Sequence, residues 1–152
     1  MNRLIREAQT HGERWISIHD AHISQILCQE HSVVFCFNDG FDLIENGQLE
    51  RKLHGHIELL NCNSSDFSCN VIARRPTRQG AKLYGRPVCL EGLNKILASK
   101  NMYVEIFLEL YGINHLHWRG ELLPYKKITR KQLAPLVTID TMDSFPMIYS
   151  WE

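Results

Sequence analysis

Apolar and polar residues alternate with a period of two over long stretches of this chain, and that rhythm predicts β-strand. The cleanest run is 103–111. Val104, Ile106, Leu108 and Leu110 alternate there with Tyr103, Glu105, Phe107, Glu109 and Tyr111. Strand is also predicted over 21–29, 32–38, 41–45 and 48–53, followed by 56–62, 67–75, 115–123, 135–141 and 146–151. Val33, Phe35 and Phe37 share one face of the second of these, and Val34 and Cys36 share the other. A strand apolar on both faces belongs inside a sheet covered on both sides. The dipeptides Asp39-Gly40 and Asn46-Gly47 separate apolar runs and favour two-residue hairpin turns, which predicts an antiparallel meander through 32–53. The polar stretch Asn63-Ser64-Ser65-Asp66 is expected to join 56–62 and 67–75 as a second pair. Residues 74–80 read as loop from their Arg, Pro and Gly content.

Helical spacing is confined to a few places. Leu90, Leu93, Ile96 and Leu97 fit one face of a helix over 89–99. Residues 3–10 are read as a short helix or arm, 129–133 as a turn of helix, and 112–114 as a turn. Strands thus follow strands with short connections, and no βαβ rhythm appears. The expectation is a mainly β (α+β) chain: an antiparallel β-sandwich or partly open barrel built from meanders, with one packed helix. The whole of 1–152 is expected to form one domain.

Composition narrows the function classes. The chain has 152 residues, 44% hydrophobic, with 17 basic and 17 acidic side chains, so its formal net charge is zero. That is too apolar for intrinsic disorder, and the even balance argues against broad nucleic-acid binding. The N-terminus lacks the apolar core of a secretory signal. The longest uninterrupted apolar run, Val33–Phe37, is far short of the about 20 residues a membrane span needs. A cytoplasmic protein is the expectation, with no membrane partner and with a homo-oligomer open. Five cysteines with no C-x-x-C spacing suggest neither a disulfide framework nor a zinc ribbon. Cys28, Cys36 and Cys89 read as small hydrophobes. A bond between Cys62 and Cys69 is geometrically open but is not expected in a reducing compartment.

Four groups of residues carry candidate chemistry. Histidine is frequent, eight in 152, and forms the H-x-H pairs His54/His56 and His115/His117. On a strand each pair points two imidazoles to one side, where a divalent metal could take a third ligand from Asp20, Glu58 or Glu121. His115, His117 and Glu121 repeat the H-x-H-x3-E spacing of cupins and so resemble them over seven residues, but Glu109 stands where cupins place a glycine. Adjacent His19 and Asp20, close to His22, offer an acid–base or metal pair. The strand 103–111 would place Tyr103, Glu105, Phe107, Glu109 and Tyr111 on one face, a mixture suited to a partner protein or a sugar. Arg74, Arg75, Arg78, Lys82 and Arg86, with Tyr84 among them, form a basic stretch able to hold a phosphate, an acidic partner or a short nucleic acid. Lys126, Lys127, Arg130 and Lys131 form a second basic run. No nucleophile elbow and no phosphate-binding glycine loop occurs. Cys36, inside an apolar strand, is expected to be inert.

The stretches His19-Asp20-Ala21-x-Ile23, Phe35-x-Phe37-x-Asp39-Gly40-Phe41 and Glu105-Ile106-x4-Tyr111-Gly112 resemble small, uncharacterised bacterial β-rich proteins. Among these are sequences associated with Gram-positive bacteria and immunity-type partners of secreted toxins. The resemblance implies a stand-alone domain and transfers no functional residue. Three functions follow from the residues. The first is a non-catalytic, protein-binding domain that needs no cofactor. The second is a metal-binding β-barrel enzyme using His54, His56, His115 and His117. The third is an anion or nucleic-acid binder through residues 74–86.

Overall fold

Asn46-Gly47 makes the predicted two-residue hairpin. Both residues take positive φ, at 51° and 74°, and Glu45 pairs with Gln48 across the turn. Asp39-Gly40 behaves differently. Gly40 has φ 83°, but the strands on its two sides belong to different sheets, so this dipeptide is a corner and not the expected hairpin. The computed structural model describes residues 2–6, 14–52, 54–112, 115–126, 133–143 and 145–152. In chain order its elements are β1 (Asn2–Arg6), β2 (Arg14–Ser17), β3 (His22–Cys28), β4 (Ser32–Phe37), β5 (Phe41–Glu45), β6 (Gln48–Lys52) and β7 (Gly55–Leu60). There follow β8 (Phe67–Thr77), β9 (Gly80–Val88), α1 (Leu90–Lys100), β10 (Met102–Tyr111), β11 (Leu116–Pro124), β12 (Leu136–Thr141) and β13 (Met147–Trp151).

The chain is mostly β, with antiparallel sheets. A ten-stranded sheet runs β1-β13-β7-β4-β3-β10-β11-β12-β8-β9, and a three-stranded sheet runs β2-β5-β6. The large sheet curls strongly. Phe35 of β4 meets Trp118 of β11 edge-on at 5.0 Å and Phe67 of β8 at 5.9 Å, although β3 and β10 lie between β4 and β11. Its end strands β1 and β9 do not pair with each other among the described residues, so the curl is not a closed barrel. The buried Ile57, Trp118, Ile139 and Tyr149 fill its concave side with Phe35. The small sheet packs on this core through Phe41, whose ring lies about 6 Å from those of Phe37, Tyr149 and Trp151. Residue 55 is glycine because a Cβ there would sit 2.2 Å from the Phe41 ring.

Helix α1 occupies 90–100, one residue later than the expected bounds. Its N-cap is Cys89, whose Sγ accepts from the Gly92 N–H, and Asn101 ends it in the left-handed region, a residue type that tolerates that backbone. Leu90, Leu93 and Leu97 are buried. The helix packs where the sheet separates. β3 pairs with β10 only at His22 and Ile23, and beyond that point the Asn94 side chain accepts from the Ile26 N–H at 2.8 Å.

Other local expectations are corrected. Residues 3–6 lie in β1, paired with β13, rather than in a short helix or a free arm; residues 7–10 lie outside the described residues. The segments at 56–62 and 67–75 do not pair with each other. β7 lies between β4 and β13, and β8 lies between β12 and β9. The connection between them is a 3-10 turn closed by a capping box of Asn63 and Asp66. The stretch 74–80 is not loop but the end of β8, a two-residue turn and the start of β9. β2 and β9 carry no pattern that predicted them. The expected turn of helix at 129–133 falls mostly outside the described residues.

Candidate functional site

The alternation along β10 breaks at Phe107. Up to Ile106 the strand faces β11 in simple register, with Glu105 opposite Glu121 and Ile106 opposite Gly120. Leu108 is then opposite Arg119, leaving Phe107 as a bulge. One extra residue exchanges the faces of everything after it. Tyr103 and Glu105 therefore point to the convex side, while Glu109 and Tyr111 lie opposite the buried Trp118 and Leu116 and point inward. The expected common face for Tyr103, Glu105, Phe107, Glu109 and Tyr111 does not exist. Glu109 is a structural tie instead. Its Oε1 accepts from the Ser17 hydroxyl at 2.7 Å and the Ile18 N–H at 3.1 Å, and its Oε2 accepts from the Tyr111 hydroxyl at 2.8 Å. The Tyr111 oxygen in turn accepts from the Trp118 indole at 3.3 Å. Gly120 lets the strands close beside the bulge, since a Cβ there would lie 2.4 Å from the Glu105 carbonyl oxygen.

On the convex side Glu105 joins a cluster that the sequence did not reveal. The Nε2 of His22 lies 3.0 Å from Glu105 Oε2, and its Nδ1 lies 2.9 Å from Asp39 Oδ2. Tyr103 stacks on the imidazole at 4.2 Å, and Tyr125 tilts against Tyr103 at 4.9 Å. Burial pushes the Tyr103 phenol above its ordinary range, with Glu105 adding to it. Burial does the same for Tyr125, with Asp39 adding. Arg51 reaches Asp39 and Asp42. The cluster ties together β3, the corner after β4, β6 and β10, with a carboxylate oxygen within 3.0 Å of each His22 ring nitrogen. The sequence placed Asp20 beside His19 and His22. In the fold the Asp20 carboxylate lies 3.1 Å from the exposed His19, and Asp39 reaches His22 from 17 residues away.

The paired histidines do not converge. His54 is an exposed turn residue with φ 52°, and His56 is half-buried on the convex side of β7. His115 is exposed, its ring against Gly112, and His117 is bonded through Nδ1 to Asp140 of β12. Three strands separate β7 from β11, so the two pairs lie apart on the sheet. Glu121, offered as a third ligand, is engaged by Arg74 at 2.8 Å. Among the described residues no group of three His, Cys, Asp or Glu side chains is placed to hold a metal ion.

The basic stretch is an arm. β12 pairs with β8 only as far as Ile72, opposite Leu136. Beyond it, residues 73–84 continue as a ribbon of two strands that, among the described residues, pair only with each other. Five residues past Ile72 extend the ribbon about 16 Å at roughly 3.3 Å per residue. Residues 75–87 are exposed throughout. Arg74 turns back, donating to the Ala134 carbonyl and to Glu121. Arg75, Lys82, Tyr84 and Arg86 share one face of the ribbon, with the Arg75 guanidinium 4.9 Å and the Lys82 ammonium 5.3 Å from the Tyr84 ring centre. Arg78 is at the turn. No acidic residue occurs between Asp66 and Glu91. The second basic run cannot be placed in the same way, because Lys127, Arg130 and Lys131 lie outside the described residues.

All five cysteines are free. Burial pushes the thiols of Cys28 and Cys62 up to about 11 and that of Cys69 to about 12, and it raises that of Cys36. These are poor nucleophiles. An open depression of about 450 Å³ lies at the β5–β6 hairpin, lined by Leu43, Glu45, Gln48 and Glu50, and none of the sequence candidates lines it. Among the described residues no helix is long and apolar enough to cross a membrane. No family model, curated protein or solved structure matches the chain.

Proposed function

We propose that the protein is a non-catalytic module that binds an acidic partner protein through the β8–β9 arm. The observation that carries this reading is the arm itself: twelve residues, 73–84, outside the ladder of β12. Arg75, Arg78, Lys82 and Arg86 are exposed along it and at its base, without a neighbouring carboxylate in sequence. An unpacked two-stranded ribbon is a poor contributor to stability. Its cations and its aromatic are arranged as an interface would use them, with Tyr84 held by Arg75 and Lys82. Support for a non-catalytic role comes from the engaged carboxylate of Glu109 and the raised thiols. A protein fits better than a nucleic acid because four cations on a chain of zero net charge supply few phosphate contacts.

The test compares a synthetic peptide of alternating Glu and Val with an oligothymidylate, each titrated against the protein at low and raised salt. Tighter binding of the peptide is expected, weakened about tenfold or more in the double variant Arg75→Glu, Lys82→Glu. Preferred binding of the oligonucleotide, or peptide binding indifferent to the charge reversal, would overturn the reading.

A further inference from the structure

The register of the arm says how such a partner would bind. Thr77 pairs with Gly80, Pro76 with Ala81, Arg74 with Leu83, Ile72 with Gly85 and Asn70 with Pro87. Along an antiparallel ladder, pairs alternate between exchanging two hydrogen bonds and exchanging none. Proline has no N–H to give, and Pro76 and Pro87 fall in the same set of alternate pairs. That set is the one that exchanges no bonds. Its other members on β9, which are Ala81, Leu83 and Gly85, therefore turn their N–H and C=O groups away from β8. Among the described residues no strand lies on that side of β9, the last strand of the sheet.

From this we infer that the free edge of β9 takes an extended acidic segment of the partner as an added strand, an inference that rests on the arm being the binding element. Ala81, Leu83 and Gly85 supply main-chain donors and acceptors at every second residue, the spacing an extended chain matches. The side chains set the recognised pattern. Lys82 and Arg86 project to one face of the ribbon, and Leu83, 59% exposed, projects to the other. Cross-strand neighbours on one face interact directly. The incoming strand therefore places carboxylates beside Lys82 and Arg86 and an apolar residue beside Leu83. The partner chemistry is an alternating acidic and apolar segment. Antiparallel self-pairing of a second copy centred on Tyr84 would set Lys82 against the copy's Arg86, which counts against a second copy in that register.

Two probes separate strand addition from simple attraction of charge. One is the alternating Glu–Val peptide. The other is the same peptide N-methylated at every second residue, which keeps the charges and removes main-chain donors. The unmethylated peptide is expected to bind at least tenfold more tightly and to slow amide hydrogen exchange at Leu83 and Gly85. Leu83→Pro removes one edge donor in a register that Pro76 and Pro87 already occupy, so the variant is expected to melt like the parent and bind the peptide about tenfold more weakly. Should the variant fail to fold, the methylated peptide on the parent protein still decides. Equal binding of both peptides, with charge reversal still weakening both, overturns strand addition and leaves the arm as the binding element. Loss of neither on charge reversal overturns the arm as well. A dimer in sedimentation that Leu83→Pro dissolves assigns the edge to a second copy and overturns the inference.

Discussion

Cys69 faces the interior from β8, opposite Ile139, and its thiol is held at about 12, first by burial and then by Asp140 and Cys89. The ordinary thiol value is 9.0. Between pH 9 and 12 the unfolded chain gives up this proton while the folded chain keeps it. The folded state is favoured fully below pH 9, and that advantage falls as pH rises through the window, by up to about 1.4 kcal/mol per pH unit per thiol. Urea unfolding of the parent and of Cys69→Ala from pH 8 to 11 checks this. The midpoint of the parent is expected to fall more steeply, and parallel curves would mean that the folded thiol ionises freely. At this scale the sequence was partly legible. Cys36 in an apolar strand was read as inert, and its thiol is raised by burial. The Asp39–His22–Glu105 contacts were not legible, because the acids lie 17 and 83 residues from the histidine and only the fold brings them together.

A packed stripe made α1 legible, and the lack of one hid β9. Leu90, Leu93 and Leu97 gave α1 almost to the residue, because one packed stripe imposes helical spacing. β9 is exposed from Gly80 to Pro87, so burial imposes no alternation there, and the Pro and Gly residues of the hairpin read as loop. The same exposure makes the arm the least protected part of the described sheet. Among the described residues, 73–84 rest on a single ladder with no third strand, and local opening there costs little. Limited trypsin digestion is expected to cut after Arg78 or Lys82 before it cuts after Arg51, Lys95 or Arg119, with Trp118 fluorescence retained after the first cut. Earlier cleavage at Lys95 or Arg119 would show an arm as firmly folded as the sheet.

Across the whole molecule, the sequence pattern carried the class of the fold and not its wiring. Antiparallel strands with one helix could be read from period and turn residues. The assignment of strands to two sheets could not. Asp39-Gly40 sets a local backbone bend, and nothing within the dipeptide says that β5 will pair with β2 rather than β4. The bulge at Phe107 joins these sheets, since only after it does Glu109 face Ser17 and Ile18 at the end of β2. Phe107→Ala, at a position 37% exposed, is expected to lower stability by about 1 kcal/mol or less. Deleting Phe107 returns β10 to plain alternation and withdraws the carboxylate from two donors, at a cost of about 3 kcal/mol or more. Thermal melting of the two variants checks the difference, and equal melting temperatures would contradict it. At position 107 the chain should therefore drift freely in spelling between descendants while holding its length, so that a lost codon does harm there that an altered one does not.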